Sequence, residues 1–411
     1  MASHRASHRA TRRSSDDSNL FDKSSAEFAE LKDKLAQMNY RNKNAILALL
    51  FPVAIAAKVV AIFLLPDKYF FDNTRILNMV NGTAGDSAWI GSYQVASDLF
   101  TSLNFFDFTT MVQWSIFLGM LFNILLFFVL LKADSPDLLQ SLFILATVGL
   151  MNIYIFNIGK DIIQFAFFLG VYIVLVLPIK NSLVKVLGSA AILYFESTFF
   201  REYYILIAGL VLVVYAILLY FRERNKLGLG SLSWIITLLL ASIYAVMLIS
   251  RVIMPEEYTT IIQLRAGYVD SFGTGDNGGI MATAIRNWIP GESLPIFMVN
   301  YVINLFRMLI PIELAFRGAA YLPFFVFQCA VTAYMVNLIR QINKVRDPAK
   351  FIALCVFIGY VLASAIFEPD FGSWTRHESA TFPILHLLIL NPLQKVPMTA
   401  EERTLKAVAL A

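Results

Sequence analysis

Ionisable side chains interrupt the apolar stretches of this chain at a few points, and the densest group lies near the carboxyl-terminal end. Residues 368–378 place three carboxylates, an arginine, a histidine and a tryptophan between two apolar segments: Glu368, Asp370, Trp374, Arg376, His377 and Glu378. Ionisable groups at membrane depth are energetically costly, so they usually mark a functional site. Guanidinium groups bind phosphate oxygens in a planar, two-pronged way, and carboxylates or histidine accept a hydroxyl proton.

More ionisable residues fall within or between other apolar runs, and two further arginines lie in a long polar stretch. They are Lys160, Asp161, Glu196, Arg201, Glu202, Arg265 and Arg286. Together with residues 368–378 they suit a substrate that has a phosphate-bearing end and a hydroxyl-bearing end. Two alternatives stay open from the residues alone. Glu196 and Arg201 could form a buried ion pair that fixes helix packing, and Lys160 could place its ammonium at the membrane interface.

The composition indicates a membrane protein. Of 411 residues, 58% are apolar and 15% are charged, whereas soluble domains carry about 25% charged residues. We predict an all-α, polytopic protein whose basic residues report orientation, and no nucleic-acid partner. The chain lacks a phosphate-binding loop, a zinc-protease motif, a nucleophile elbow and a dinucleotide fingerprint. No His/Cys cluster has metal-ligand spacing, and we predict neither a metal nor a cofactor.

About ten apolar segments approach the length of about 20 residues that a membrane span needs. They are 45–65, 113–131, 138–158, 162–178, 183–200, 203–221, 232–254, 319–339, 351–367 and 380–391. We predict a cytoplasmic tail over 1–43, disordered but for an amphipathic helix near 20–40. A transmembrane domain follows over 44–391, and a cytoplasmic tail over 392–411.

Basic residues that follow alternate spans set the predicted orientation. Lys132, Lys180, Arg222 and the basic stretch 340–350 can all be cytoplasmic only if residues 295–312 do not cross the membrane. We therefore predict that 295–312 is a re-entrant or interfacial helix on the outer side; the alternative is an eleventh span. Both termini then lie in the cytoplasm of an inner (plasma) membrane protein. Residues 66–112 and 255–294 form long outer loops, and their aromatic content predicts ordered caps.

Three short motifs carry a resemblance to a known family. A Lys160-Asp161 pair opens a span, Arg201-Glu202-Tyr203 follows another, and an acidic, glycine-containing segment over 370–377 ends in Arg376-His377. In these motifs and in its multi-span layout over 45–391, the chain resembles bacterial polysaccharide polymerases of the Wzy type. It resembles in particular the EpsG-like branch, which is found in capsule and exopolysaccharide gene clusters.

The resemblance implies a membrane glycosyltransferase that polymerises lipid-linked repeat units into capsular polysaccharide, exopolysaccharide or O-antigen. The glycan would pass from polyprenyl pyrophosphate to an incoming repeat unit on the outer face. Its partners would be this lipid-linked oligosaccharide, membrane lipid, and a flippase and chain-length regulator of the same pathway. Lys160, Arg201 and Arg376 would hold pyrophosphate, His377 or Glu378 would take the acceptor proton, and Asp161 or Asp370 would position sugar hydroxyls. Polymerases of this broad group often show two arginine-rich outer loops, whereas loop 255–294 of this chain has only Arg265 and Arg286.

Two other functions remain as alternatives. A multi-span glycosyltransferase that uses a polyprenyl monophosphate sugar would place a catalytic carboxylate in the first outer loop, which offers Asp72, Asp86 and Asp98. A transporter or flippase of lipid-linked glycan is the second alternative. Such proteins often show internal repeats with sites at the membrane midplane. This chain shows no clear repeat, and its charges cluster at one interface.

Overall fold

The computed structural model of the protein describes most of the chain between residues 30 and 390. The described residues are 30, 33–223, 228–253, 255, 256, 258, 259, 261, 262, 283–368 and 370–390. Within them the fold is helical, and the only extended pairing is an isolated bridge between Ala284 and Asp370. The predicted tail over 392–411, most of the predicted tail over 1–43, and Arg265 lie outside the described residues.

Fifteen helices form the described fold, besides short 3-10 turns. They are α1 (Asp33–Leu64), α2 (Phe71–Val80), α3 (Ser92–Ser102), α4 (Met111–Lys132), α5 (Leu138–Tyr154), α6 (Lys160–Val176), α7 (Ser182–Phe199), α8 (Tyr204–Arg222), α9 (Leu229–Ile253), α10 (Leu294–Leu309), α11 (Ile312–Arg317), α12 (Leu322–Arg340), α13 (Pro348–Phe367), α14 (Phe371–Ala380) and α15 (Phe382–Ile389).

Six of these helices are long and apolar enough to cross a membrane: α1, α4, α8, α9, α12 and α13. Large apolar side chains on them are open to the surroundings, such as Phe63 at 75% and Val252 at 81% exposure. Such contiguous apolar exposure is unfavourable in water and favourable against lipid. The apolar helices thus confirm the predicted membrane protein, although four of the ten predicted segments form helices outside this set of six.

Helix α13 is the core of the bundle. Of the 18 most apolar consecutive residues of α13, 94% are buried, whereas in each of the other five long helices at most half of the corresponding residues are buried. It packs against α8 at a close approach. A Cβ added to Gly359 would lie 3.1 Å from the backbone nitrogen of Val211, so a larger residue there would push the two helices apart. Because α13 is held on all sides, the residues at its ends have well-defined neighbours.

The predicted long loop 66–112 folds into α2 and α3, which pack on each other and against α4 and α6. Residues 295–312 form α10 and the start of α11. The segment 368–378, which the sequence presents as a charged connection, is largely helix α14. It is followed without a loop by α15, and the helix is interrupted near Thr381 and Pro383.

The bundle has two ends with different polar chemistry. At one end, called the Asp161 end, the start of α6, the α7–α8 turn and the end of α13 meet through Asp161, Arg201 and Glu368. At the other, called the Lys350 end, Lys350 at the start of α13 pairs with Asp134 after α4. Helix α1 connects the two ends, since Lys43 donates to the carbonyl of Ala133 and Lys58 donates to that of Phe156.

Candidate functional site

Lys160 and Asp161 are the first two residues of α6. Two other elements hold the turn before them in place. Asn73 of α2 donates to the carbonyl oxygen of Ile158 at 2.6 Å, and Lys58 of α1 donates to that of Phe156 at 2.6 Å. Gly159 passes directly under Asn73, where a Cβ would lie 2.6 Å from the Asn73 Nδ2 atom. A side chain at Gly159 would therefore displace the contact that positions the two charged residues.

Helix α14 presents Arg376 and His377, and Asp370 begins this helix. The Asp370 carboxylate accepts hydrogen bonds from the backbone nitrogen and the hydroxyl of Ser373, both at 2.8 Å. A side-chain oxygen at this position satisfies a free backbone N–H of the first helical turn. Asp370 thus has a local structural role, and no ion pair joins it to Arg376 or His377 among the described residues.

Asp161 is the centre of a buried ion cluster, called the Asp161 cluster. Its carboxylate oxygens lie 2.8 Å from Arg376 Nε, 3.1 Å from His377 Nε2 and 3.4 Å from Arg201 Nη2. The first two contacts lack the geometry of a hydrogen bond, so they are ionic contacts. One carboxylate on α6 therefore meets positively charged groups from the α7–α8 turn and from α14.

Asp72 of α2 extends the cluster toward its more exposed edge. A single oxygen, Asp72 Oδ2, lies 3.1 Å from Lys160 Nζ and 3.4 Å from Arg376 Nη2. The other oxygen accepts a hydrogen bond from the Tyr93 hydroxyl at 2.7 Å. The side chains of Asp72, Lys160 and Arg376 are 23%, 14% and 19% exposed, whereas that of Asp161 is 9% exposed. This edge is the part of the cluster that a ligand can reach most easily.

His377 lies between two carboxylates. Its Nδ1 is 2.6 Å from Glu368 Oε1 and its Nε2 is 3.1 Å from Asp161 Oδ1. Burial by itself would lower the pKa of the imidazole, but the charges of Glu368 and Asp161 outweigh burial and raise it. The two carboxylates therefore favour the protonated, positively charged form of the ring. In that form His377 would be a proton donor and could not act as a base.

Arg201 is the most deeply held cation of the cluster. Its Nη1 atom donates to Gln164 Oε1 and to the Tyr203 hydroxyl, each at 3.0 Å. Gln164 also donates to the backbone carbonyl of His377 at 3.0 Å. The side chain is 6% exposed. Gln164 thus ties Arg201 to the backbone of α14, so the two arginine-bearing segments keep a fixed separation.

The carboxylates of the cluster are ionised. Burial alone would raise the pKa of Asp72, but Lys160, Arg376 and the Tyr93 hydrogen bond lower it overall. Burial likewise opposes ionisation of Glu368, and His377 and Arg201 more than offset it, so the pKa of Glu368 is lowered. Three carboxylates, two guanidinium groups, the Lys160 amine, whose pKa burial lowers, and the His377 imidazole therefore share one region. Asp370 also acts electrostatically on Arg376.

Glu378 and Trp374, both predicted site residues, lie in the protein interior. Glu378 is fully buried, and one of its oxygens accepts a hydrogen bond from Gln328 at 3.2 Å. Burial raises the pKa of Glu378 to about 8, so it is mostly protonated at neutral pH. Trp374 is also fully buried and stacks on Tyr360. We predicted from the sequence that Trp374 contacts the substrate, but its ring has no exposed surface.

The remaining predicted residues take separate places. Glu196 is fully buried near the end of α7, and neither carboxylate oxygen has a hydrogen-bond partner among the described residues. Glu202 and Arg286 are exposed, and neither joins the Asp161 cluster by an ion pair within the described chain. The structure thus brings together Lys160, Asp161, Arg201, Glu368, Arg376 and His377.

Three members of the cluster were not among the predicted site residues: Asp72, Tyr93 and Gln164. Asp72 had a signal, because it is one of three aspartates in the first long loop that the monophosphate-sugar alternative singled out. Gln164 also had a signal, since it follows Asp161 by three residues in an apolar helix and so lies on the same face. Tyr93 had none, because an aromatic residue in a half-buried helix is ordinary. The described residues contain no group of three potential ligands placed to hold a metal ion.

Comparison with known proteins found no match: no protein-family model, no curated protein and no solved structure matches this chain. The function must therefore be inferred from the residues of the Asp161 cluster and their geometry.

Proposed function

We propose that this protein is a membrane glycosyltransferase that polymerises lipid-linked oligosaccharide repeat units, taking the growing glycan from polyprenyl pyrophosphate. One observation carries the proposal. Charged residues that lie far apart in the sequence meet in one cluster at the end of an apolar helical bundle. The cationic side chains of Lys160, Arg201 and Arg376 favour binding of a phosphate-bearing substrate. The apolar bundle suits a substrate with a lipid tail.

We propose ten spans, with α10 a re-entrant or interfacial helix, and with the Asp161 end on the outer face. Ala284 pairs with Asp370, and Arg317 lies 5.8 Å from the ring centre of Phe371, so both ends of segment 284–317 lie beside the start of α14. The basic stretch 340–350 lies at the opposite end, where Arg222 donates to the carbonyl of Arg346. Basic connections favour the cytoplasm, which supports cytoplasmic placement of the Lys350 end and both termini in a bacterial inner membrane.

The proposed reaction makes one bond and breaks one. The acceptor hydroxyl oxygen bonds to the anomeric carbon of the growing chain, and the bond from that carbon to the pyrophosphate oxygen breaks. The electron pair leaves with the pyrophosphate, and the hydroxyl proton passes to a carboxylate of the cluster. Lys160, Arg201, Arg376 and the His377 imidazolium would stabilise the negative charge that grows on the leaving group. No nucleotide sugar or cofactor is needed, because the donor is already activated.

The second candidate is a glycosyltransferase that uses a polyprenyl monophosphate sugar. It is favoured by the presence of Asp72, a carboxylate of the first outer loop, in the same cluster as Lys160 and Arg376. In that reaction Asp72 would be the catalytic carboxylate. The two candidates differ in their products, because a polymerase extends the chain by whole repeat units and the monophosphate-sugar enzyme adds single sugars.

A complementation experiment in the source bacterium tests the proposal. The gene is deleted, and wild type, Arg201→Ala, Arg376→Ala or the control Arg251→Ala is supplied at matched membrane levels. Arg251 is an exposed arginine in the last turn of α9 and makes no ion pair with the cluster within the described chain. Lipid-linked and surface glycans are then separated on a gel.

We expect single repeat units without polymer in the deletion strain and in the Arg201 and Arg376 variants, and polymer with wild type and Arg251→Ala. Repeat units that lack one sugar would instead establish the monophosphate-sugar enzyme. Full-length polymer in the deletion strain would rule out both candidates.

A further inference from the structure

Lys160 and Arg376 converge on one oxygen atom. The two cations come from segments more than two hundred residues apart, yet both lie within 3.4 Å of Asp72 Oδ2. The more buried cation contacts of the cluster are made by carboxylates of the bundle itself, Asp161 on α6 and Glu368 at the end of α13. Asp72 is different, because it enters from α2, in the long segment outside the long helices. Its carboxylate is therefore an added anion at the edge of a preformed cationic site.

The charge balance shows that this edge has capacity for an anion. With Asp72 set aside, Lys160, Arg201, Arg376 and the His377 imidazole face Asp161 and Glu368 as the ion-pairing carboxylates within the described residues, and Asp370 acts on Arg376 from farther away. Asp72 adds a further negative charge at the edge. A pyrophosphate diester, which carries a negative charge on each phosphoryl group, would replace that charge and add one more. Phosphoryl oxygens are also suited to the position of Asp72 Oδ2, because each can accept from an ammonium and a guanidinium together.

We propose that Asp72 occupies the position of a phosphoryl oxygen in the unliganded protein, and that the substrate's pyrophosphate displaces it from Lys160 and Arg376. This inference rests on the proposed function and deepens it, since it identifies the phosphate position and a residue that competes for it. The substrate's phosphate oxygens must therefore replace the Asp72 carboxylate at Lys160 and Arg376 when the substrate binds.

The surroundings of Asp72 allow this exchange without movement of α2. The neighbouring residue Asn73 anchors the helix through its hydrogen bond to the carbonyl of Ile158. Tyr93 holds the second oxygen of Asp72, and its hydroxyl is also 2.8 Å from Lys160 Nζ. Rotation of the Asp72 side chain would thus leave Tyr93 in contact with Lys160. The displaced carboxylate keeps access to water, because it is already partly exposed.

The test measures binding of inorganic pyrophosphate to the purified full-length protein in detergent, at constant ionic strength, by isothermal calorimetry. The variants are wild type, Asp72→Asn and the control Asp98→Asn, an exposed aspartate of α3 whose partner is Gln94. Removing one competing charge at ion-pair distance from a partly exposed site should tighten binding roughly tenfold in Asp72→Asn. Asp98→Asn should bind like wild type, and Lys160→Gln should bind more weakly than wild type.

A second variant separates competition from loss of structure. Tyr93→Phe removes the hydrogen bond to Asp72 but leaves its charge, so pyrophosphate affinity should change far less than in Asp72→Asn. Unchanged or weaker binding in Asp72→Asn would overturn the inference, because Asp72 would then organise the cations instead of competing for them. Absence of binding in every variant would overturn it as well. The proposed polymerase is judged separately, by the glycan gel, so the two can fail independently.

Discussion

The two ends of the helical bundle use their cations in different ways. At the Lys350 end, Lys43 donates to the carbonyl of Ala133 and Arg222 to that of Arg346, and Lys350 donates to that of Leu390 besides its ion pair with Asp134. These carbonyls lie at or beyond helix ends, where they lack partners within the helix. At the Asp161 end, Lys58 likewise donates to the carbonyl of Phe156. Lys160, Arg201 and Arg376, however, contact the side-chain carboxylates of Asp72 and Asp161, which they share. The first pattern fastens helix ends, and the second gathers charge around one point.

The difference separates structural charge from charge that is available to a ligand. If a lysine that donates to a backbone carbonyl took another partner, the carbonyl would be left buried and unpaired, which costs free energy. Cations that share carboxylates can exchange one anion for another at little cost. Within the described residues, only the Asp161 end combines such an arrangement with a partly exposed edge, which supports a functional role for that end.

The largest expected effect comes from Asp161→Asn. The substitution leaves Arg201, Arg376 and His377 without their shared counter-charge in a buried site, and uncompensated buried charge costs about 3–5 kcal/mol. We expect glycan polymerisation to fall at least roughly a hundredfold and the thermal stability in detergent to fall with it. Polymer at wild-type levels on the gel would show that the Asp161 end is no more functional than the Lys350 end.

A smaller effect is expected from His377→Gln, together with a change in pH dependence. The pKa of His377 is raised in the folded protein, so its ion pairs are fully present below the ordinary histidine pKa of about 6.5. They are lost as pH rises through the raised value. Wild-type activity should decline on the alkaline side for this reason, and the variant should be about tenfold less active without that decline. An identical alkaline decline in both proteins would exclude His377 as its cause.

At the opposite end, Lys350→Met should affect stability without affecting activity. The change removes the pair with Asp134 and the hydrogen bond to the carbonyl of Leu390. Because the Asp134 side chain is half exposed, the expected loss is about 1–2 kcal/mol of unfolding free energy. Thermal unfolding in detergent measures the loss, and the glycan gel should show normal polymer. Loss of polymer in a stably folded Lys350→Met protein would contradict the structural role of this end.

The smallest effect is expected at Glu378, which is buried beside the cluster but neutral. Burial raises its folded pKa to about 8. The stability associated with its bound proton is therefore fully present below the unfolded pKa of about 4.3. It is lost as pH rises toward 8. Glu378→Gln stays neutral, so its thermal stability should be flatter across this range and higher than that of wild type at pH 8. The exposed Glu202→Gln variant serves as the control and should keep the wild-type slope.

Much of the helical framework could be predicted, because the length and hydropathy of each apolar run are local properties. The predicted segments 113–131 and 351–367 fall within α4 and α13. The cost of burying charge also singled out Lys160, Asp161, Arg201, Arg376 and His377 among other residues, and the structure places these five in one cluster. The burial of Trp374 and Glu378 was not predictable, since the sequence does not show that the charged segment 368–378 continues as a helix into the core.

The sequence by itself determined a helical membrane protein with costly ionic groups near the ends of its apolar segments. Only the tertiary structure decided which of these groups meet. Asp72 and Arg376 are 304 residues apart and contact each other because α2 is held against the turn before α6 by the hydrogen bond from Asn73 to Ile158. Protonation depends on the same packing. His377 faces two carboxylates that favour its protonated form, whereas the next residue, Glu378, faces an amide in the core and stays neutral. Charge interactions act over a few ångströms of space regardless of distance along the chain, so composition and spacing could not decide them.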